Sequence, residues 1–235
     1  MRVGLLLCDT DDTILSQKYP DDGQKFRTLM SGQRPDWEYE TIPVKDNVFP
    51  RSIDDHDGYV ITGSPSSVND DDPWITGLMA FIRELDSQKI PTVGACFGHQ
   101  AIAAALGGQV GKNPAGWGLG IAPTTFHHHL DWMDPAHEML ELYTAHNEQV
   151  LKLPDRARVV GSSPIAPVGS YAIGNHIFTT QHHPEITPDY MHDLVNVVAA
   201  IAPQETIDRA RASMHGTNEG DKFAGWMVQF LEMAR

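Results

Sequence analysis

Residues 91–106, PTVGACFGHQAIAAAL, constrain the fold of this chain more than any other stretch. A short apolar strand runs into a cysteine bracketed by Gly94 and Gly98, and an alanine-rich helix follows at once. The pattern has the form of a nucleophile elbow, the strained strand-to-helix turn written G-x-S-x-G, with cysteine in the serine position. Glycine is required on both sides because so tight a turn leaves no room for neighbouring side chains. Cys96 then stands at a helix N-terminus, where unpaired N–H groups and the helix dipole favour a thiolate. The alternative is a buried cysteine that merely ends a core strand, so the rest of the chain must supply a base and an oxyanion site.

The surrounding pattern is that of alternating strands and helices. Residues 2–8 form a nearly continuous apolar run, as in a strand covered on both faces. Residues 24–31 read as a short helix ended by Gly32, and residues 36–44 and 57–62 as strands. After a loop over 63–72, residues 73–87 carry apolar side chains at helical spacing. This alternation predicts a parallel sheet with right-handed crossovers and helices on both faces. Beyond Gly107-Gly108 the texture changes to short strands within 109–126, 141–146, 158–163 and 170–180, predicting a smaller antiparallel section beside the parallel one. Helices are predicted over 187–201, 205–214 and 221–233. With no repeat and no linker, a single domain over 1–235 is expected, its core within about 1–200 and a helical extension over about 204–235.

A cysteine nucleophile needs an imidazole to take its proton, and that imidazole needs a carboxylate to fix its tautomer. TTQHHPEI at 179–186 supplies both. In an extended segment residues two apart face the same side, so His183 and Glu185 can meet at one site while His182 points away. The loop ITGSPSS at 61–67 follows a predicted strand, and sites in open α/β sheets gather beyond the carboxyl ends of strands. Backbone N–H groups at Gly63-Ser64 and at Phe97 are therefore the candidate oxyanion donors.

These segments, in this order, resemble the class I (triad-type) glutamine amidotransferases, especially stand-alone members similar to the amidotransferase domain of GMP synthase. The resemblance rests on residues 61–68, 94–108 and 179–186, with AHNEQV at 145–150 similar to a substrate-side loop of that family. It implies a flavodoxin-like α/β fold and a triad of Cys96, His183 and Glu185 that releases ammonia from the glutamine side chain through a γ-glutamyl thioester. It further implies that Ser64 and Phe97 hold the oxyanion and that Gln100 contacts the amino-acid end of the substrate. Gly118 stands where the family often carries Glu, a departure that removes one polar contact. His146 reads equally well as a core-edge residue and as a pocket residue.

The expected ligand is glutamine or another γ-glutamyl small molecule, with no cofactor. The family pairs this domain with an ATP-consuming synthetase, and no G-x-x-x-x-G-K-[ST] loop occurs here. Three readings follow: a glutaminase or amidotransferase feeding a separate ammonia-accepting synthetase, a γ-glutamyl peptidase acting on glutathione-like compounds, or a catalytically silent binding homologue. A formal charge of -14 argues against nucleic acid and acidic membrane surfaces as partners. Two cysteines with no export signal point to a reducing cytoplasm, with Cys8 as a small buried hydrophobe. His127-His128-His129 cannot all face one ion from a strand and read as a solvated strand end, not a metal site. His99 is expected to support the site without reacting. Asp9, Asp11, Asp12 and Asp70-Asp71-Asp72 are expected in loops and helix caps.

Overall fold

The computed structural model describes residues 1–234. The first half of the chain alternates β1 (Arg2–Leu6), α1 (Ile14–Lys18), α2 (Asp22–Gln33), β2 (Glu38–Ile42), β3 (Gly58–Ile61), α3 (Pro73–Gln88), β4 (Thr92–Ala95) and α4 (Phe97–Ala105). Seven strands follow: β5 (Gln109–Lys112), β6 (Gly118–Phe126), β7 (Met139–His146), β8 (Glu148–Lys152), β9 (Ala157–Ser162), β10 (Ser170–Ile173) and β11 (Ile177–Thr180). The last elements are α5 (Pro188–Val198), α6 (Gln204–Ser213) and α7 (Gly220–Met233).

The main sheet has the order β2-β1-β3-β4-β11-β10-β9-β6-β7. From β2 to β11 all neighbours are parallel, and from β11 to β7 all are antiparallel. The antiparallel section is thus hydrogen-bonded into the same sheet and does not pack beside it. The physical reason is the open edge of β11, which β10 satisfies with a ladder that stacking could not provide. Only β5 and β8 form a separate two-stranded sheet among the described residues.

Alternation along the parallel strands feeds two cores. Val3, Leu5 and Val60 pack with Phe26 and Met30 of α2 and with Phe223, Trp226 and Phe230 of α7. Leu6, Tyr59 and Ile61 pack on the opposite side with Trp74, Leu78 and Ile82 of α3 and Phe97 and Ile102 of α4. Both faces being covered is why these strands read as unbroken apolar runs. A third cluster joins Met191 and Val195 of α5 and Ile207 and Ala210 of α6 to Leu119, Ile121 and Tyr143 of the antiparallel section. The core therefore runs past residue 200. The α7 rings are fully buried, at about 2 kcal/mol apiece for such burial. They bear on β11, with the Phe178 and Phe223 centroids 5.3 Å apart.

Local chemistry explains the boundaries. Asp21 caps α2 by accepting from Gln24 N at 2.8 Å, and Thr187 caps α5 just before Pro188 at its first turn. Gly32 does not end α2. The helix runs to Gln33, because Arg34 N still reaches the Met30 carbonyl at 2.8 Å and tertiary packing of Phe26 and Met30 outweighs one glycine. Short α1 lies outside the sequence expectation and is nucleated by Thr13, whose hydroxyl accepts from Leu15 N. Among the described residues no helix is long and apolar enough to cross a membrane.

Candidate active site

Three neighbouring parallel strands, β3, β4 and β11, end at the same edge of the sheet. Their carboxyl ends deliver Gly63-Ser64, Cys96 and, three residues past β11, His183. Two backbone bonds lock the elbow between its neighbours: Cys96 N donates to the Thr180 carbonyl at 2.9 Å and Gly98 N to the Thr62 carbonyl at 3.1 Å. Cys96 itself adopts φ 48° and ψ -101°, a strained conformation for a residue with a Cβ. A Cβ on Gly98 would fall 2.3 Å from the Ile61 carbonyl oxygen, and one on Gly94 would fall 2.8 Å from the Gly98 carbonyl. The glycines are there because backbone passes where a side chain would be.

His183 is fixed at both ends. Its N–H donates to the Tyr143 carbonyl at 2.8 Å, and Nδ1 donates to Glu185 Oε1 at 2.7 Å. The His-Pro-Glu spacing thus brings the two side chains together. The imidazole lines the same cavity as Cys96 and lies close enough for the sulfur to act on it. Burial alone disfavours the imidazolium, but the adjacent Cys96 sulfur and Glu185 carboxylate outweigh it and hold the His183 pKa well above its ordinary value. The arrangement favours the protonated imidazole. Gly63 matters here too, since a Cβ would lie 3.1 Å from His183 Cε1.

The two cysteines differ sharply. Cys8 is fully buried at the end of β1, and burial pushes its thiol far up, which leaves it inert. Cys96 lines a cavity of about 390 Å³, within the range of roughly 300–1,000 Å³ of small-molecule sites. Phe97 is the first residue of α4, so its N–H has no intrahelical acceptor. Ser64 N likewise donates to no acceptor among the described residues. The Ser64 hydroxyl is turned toward Thr10, 3.3 Å away, so the side chain braces the loop.

Gln100 lines the cavity, but its Nε2 is held by the Glu148 carbonyl at 2.9 Å and Gln181 Oε1 at 3.1 Å. Only its carbonyl oxygen is left to meet a ligand. Gln181 in turn directs Nε2 at Cys96 Sγ, 3.7 Å away, and sequence reasoning missed it. The signal was present: residues 181, 183 and 185 share one side of an extended segment. His146 lies in the cavity wall. Its Nδ1 donates to the Glu148 carbonyl at 2.8 Å, its Nε2 is unpartnered among the described residues, and burial pulls its pKa down to about 4. A Cβ on Gly118 would meet that Nε2 at 2.7 Å, so the imidazole fills the space next to the missing side chain.

His99 is buried against Thr179 Oγ1 at 2.9 Å, with its pKa pulled by burial to about 3, and stays outside the cavity lining. His182 is fully buried outside the cavity lining, both ring nitrogens unpartnered among the described residues. His127, His128 and His129 follow β6 on the surface, His127 Nε2 bonding Ser162 Oγ. Asp9 and Asp11 do sit in a loop, where each accepts a backbone N–H two residues on, yet both also line the cavity. Asp22, Lys112, Glu148 and Trp117 join them there, brought in by tertiary structure.

An open α/β sheet carrying an elbow at the end of a central strand, with a cavity over it, is the architecture of a hydrolase or amidotransferase. The chain belongs to the glutamine amidotransferase class-I family, whose model matches residues 33–196. It is 30% identical over 226 residues to gamma-glutamyl peptidase 3 of Arabidopsis thaliana, covering 91% of this chain and 89% of that protein. It is 31% identical over 152 residues to one of the subunits of the glutamine-hydrolysing GMP synthase of Saccharolobus solfataricus, covering 63% of this chain and 77% of that one. Its fold matches a crystal structure of a glutamine amidotransferase from Thermotoga maritima with a TM-score of 0.77 at 18% identity, over 100% of this chain and 98% of that one.

Proposed function

We propose that the protein hydrolyses γ-glutamyl amide bonds through a thioester on Cys96. The observation that carries this reading is the shared cavity of Cys96 and His183, with His183 Nδ1 bound to Glu185 at 2.7 Å. The Cys96 thiolate attacks the γ-carbonyl carbon, and the oxyanion that forms accepts from the Ser64 and Phe97 N–H groups. His183 gives its Nε2 proton to the nitrogen as the C–N bond breaks, releasing the amine. Now neutral, His183 takes a proton from water, whose oxygen attacks the thioester carbonyl. Glutamate leaves, and sulfur and imidazolium are restored.

The leaving amine is the open part of this reading. A substituted amine, as in a γ-glutamyl peptide, is favoured by the near full-length match to a γ-glutamyl peptidase. It is also favoured by a cavity that continues past Cys96 to α1 and α5. Ammonia, released from glutamine for a separate synthetase, is the second reading, supported by the match to part of a GMP synthase. We place the reaction in the cytoplasm. Ammonia release from glutamine measured beside cleavage of γ-glutamyl dipeptides separates the two. Fast dipeptide turnover with negligible glutaminase activity is the expected result. If the folded protein turns over neither and a glutamine-mimicking electrophile leaves Cys96 unlabelled, the chain is a silent homologue.

A further inference from the structure

Two groups of charged side chains line the cavity around Cys96. One comprises Lys112 and Glu148, with Ser67 and Gln100. Lys112 Nζ lies 3.3 Å from Glu148 Oε1, and Ser67 Oγ donates to Glu148 Oε2 at 2.7 Å. A carboxylate beside an exposed ammonium complements an α-amino-acid group, which carries one charge of each sign. This group suits the glutamyl part of the substrate.

The other comprises Asp9, Asp11 and Asp22, with Tyr190 and Leu194 of α5 in the same lining. Here the charges do not balance. Asp22 is only 7% exposed and binds Lys25 Nζ through Oδ1 at 2.8 Å, while Oδ2 has no hydrogen bond among the described residues. Lys25 is equally buried, with its ammonium 3.7 Å from the centre of the Tyr190 ring, and it does not line the cavity. The His183 imidazole, nine-tenths buried beside Cys96, lines the same cavity. Three carboxylates thus line this part of the cavity; Lys25 is occupied by Asp22, and the protonated His183 is held by Cys96 and Glu185. Burial and the charge of Asp22 push the Asp9 carboxyl up to about 6, the behaviour of an acid crowded by negative charge. These acids do not converge as metal ligands do: among the described residues no group of three or more His, Cys, Asp or Glu side chains could hold a metal ion.

Resting on the γ-glutamyl amide reading above, we propose that the preferred substrates are γ-glutamyl amides whose leaving amine carries a second, cationic group, the mono-γ-glutamyl diamines being the simplest. The Asp9–Asp11–Asp22 group receives the distal ammonium while the amide nitrogen faces His183. In the reaction the acyl C–N bond breaks, His183 supplies the proton to the nitrogen, and water supplies the oxygen and the proton that regenerate the acid and the imidazolium. Glutamate and a diamine leave. A leaving group ending in a carboxylate meets like charge there and is disfavoured.

The test uses the intact protein and three γ-glutamyl amides of one chain length: of 1,4-diaminobutane, of butylamine and of 4-aminobutyrate. They end in an ammonium, a methyl and a carboxylate. We expect kcat/KM to fall in that order, the first step by about tenfold, the ratio that about 1.4 kcal/mol of charge attraction produces. Added salt narrows that step. Asp9→Asn and Asp11→Asn each bring the diamine-to-butylamide ratio toward one, through KM and not kcat, a selective change that a merely structural role does not produce. Asp22→Asn is less informative because it strands buried Lys25. Equal turnover of the three amides, or preference for the aminobutyrate, overturns this inference and leaves γ-glutamyl hydrolysis standing. No turnover of any γ-glutamyl amide by the folded protein overturns both.

Discussion

The backbone N–H of Cys96 donates to the carbonyl of Thr180 at 2.9 Å. That bond ties the strand that leads into Cys96 to the strand that leads toward His183, so the proposed nucleophile and base are placed by main chain and not by side-chain packing alone. Geometry set in this way tolerates changes at the side chains and fails when the backbone is moved.

Cys96→Ala removes the proposed nucleophile and the sulfur beside His183. Turnover is expected to fall to background with the melting temperature little changed, because one small thiol is lost at a site tied by backbone bonds. The His183 pKa is expected to drop, since the Cys96 sulfur is the first of the influences that raise it. Imidazole titration by NMR reads that shift. Substantial residual turnover would refute covalent catalysis.

Glu185→Gln keeps the shape and removes the charge that steadies the imidazolium. A loss in kcat on the order of 10³–10⁴ is expected, with KM nearly unchanged, as for carboxylates that hold a catalytic imidazole in its tautomer. Steady-state kinetics across pH checks it. An equal loss from KM alone would place Glu185 in substrate binding instead.

Two glycines give opposite expectations. Gly98→Ala drives a methyl group to 2.3 Å from the Ile61 carbonyl and should disrupt both the elbow and the end of β3. Gly32→Ala, in the last turn of α2 with nothing within 4 Å of the added Cβ, should stabilise the protein by about 0.5–1 kcal/mol. Thermal or denaturant unfolding of the two variants tests the contrast.

Stability should fall steeply in mild acid. Burial pulls the pKa of His99 to about 3, of His146 to about 4 and of His182 well below its ordinary value. Each is neutral in the fold and takes up a proton on unfolding once the pH drops below about 6.5. Their contribution is therefore complete above that value and lost as pH falls toward the folded pKa values. Asp9, raised to about 6, has the opposite sign over the same interval and cancels one of the three protons. Two uncompensated protons correspond to a slope of about 3 kcal/mol per pH unit between about pH 6 and 4.5. Denaturant unfolding at a series of pH values measures it, and a flat profile would show that these histidines charge within the fold.

The elbow and the His-Pro-Glu segment were legible because each is local: the residue types, the spacing and the extended or turning backbone are set within a few positions. The parallel half of the sheet was legible for the same reason, through the apolar runs of β1, β3 and β4 and the helical spacing of apolar residues in α3. The continuity of the sheet was not, because the pairing of β10 with β11 and of β9 with β6 is settled by which open edge must be satisfied. Strand β8 also escaped, since EQVLK alternates weakly and is defined by its partner β5. Within the site, Asp22 and Lys112 carry no motif. They come from α2 and β5, and only the folded chain shows that they border the same space as Cys96.

Helix α7 supplies Phe223 and Phe230, the rings that stand behind Phe178 on β11. His183 comes after β11 in the chain, yet the strand that presents it is backed by residues that come about forty positions later. On a ribosome, Cys96, His183 and Glu185 therefore all emerge before the support of one of them exists. The proposed set of reactive groups is expected to be braced only when α7 docks, after the residues it braces have been made.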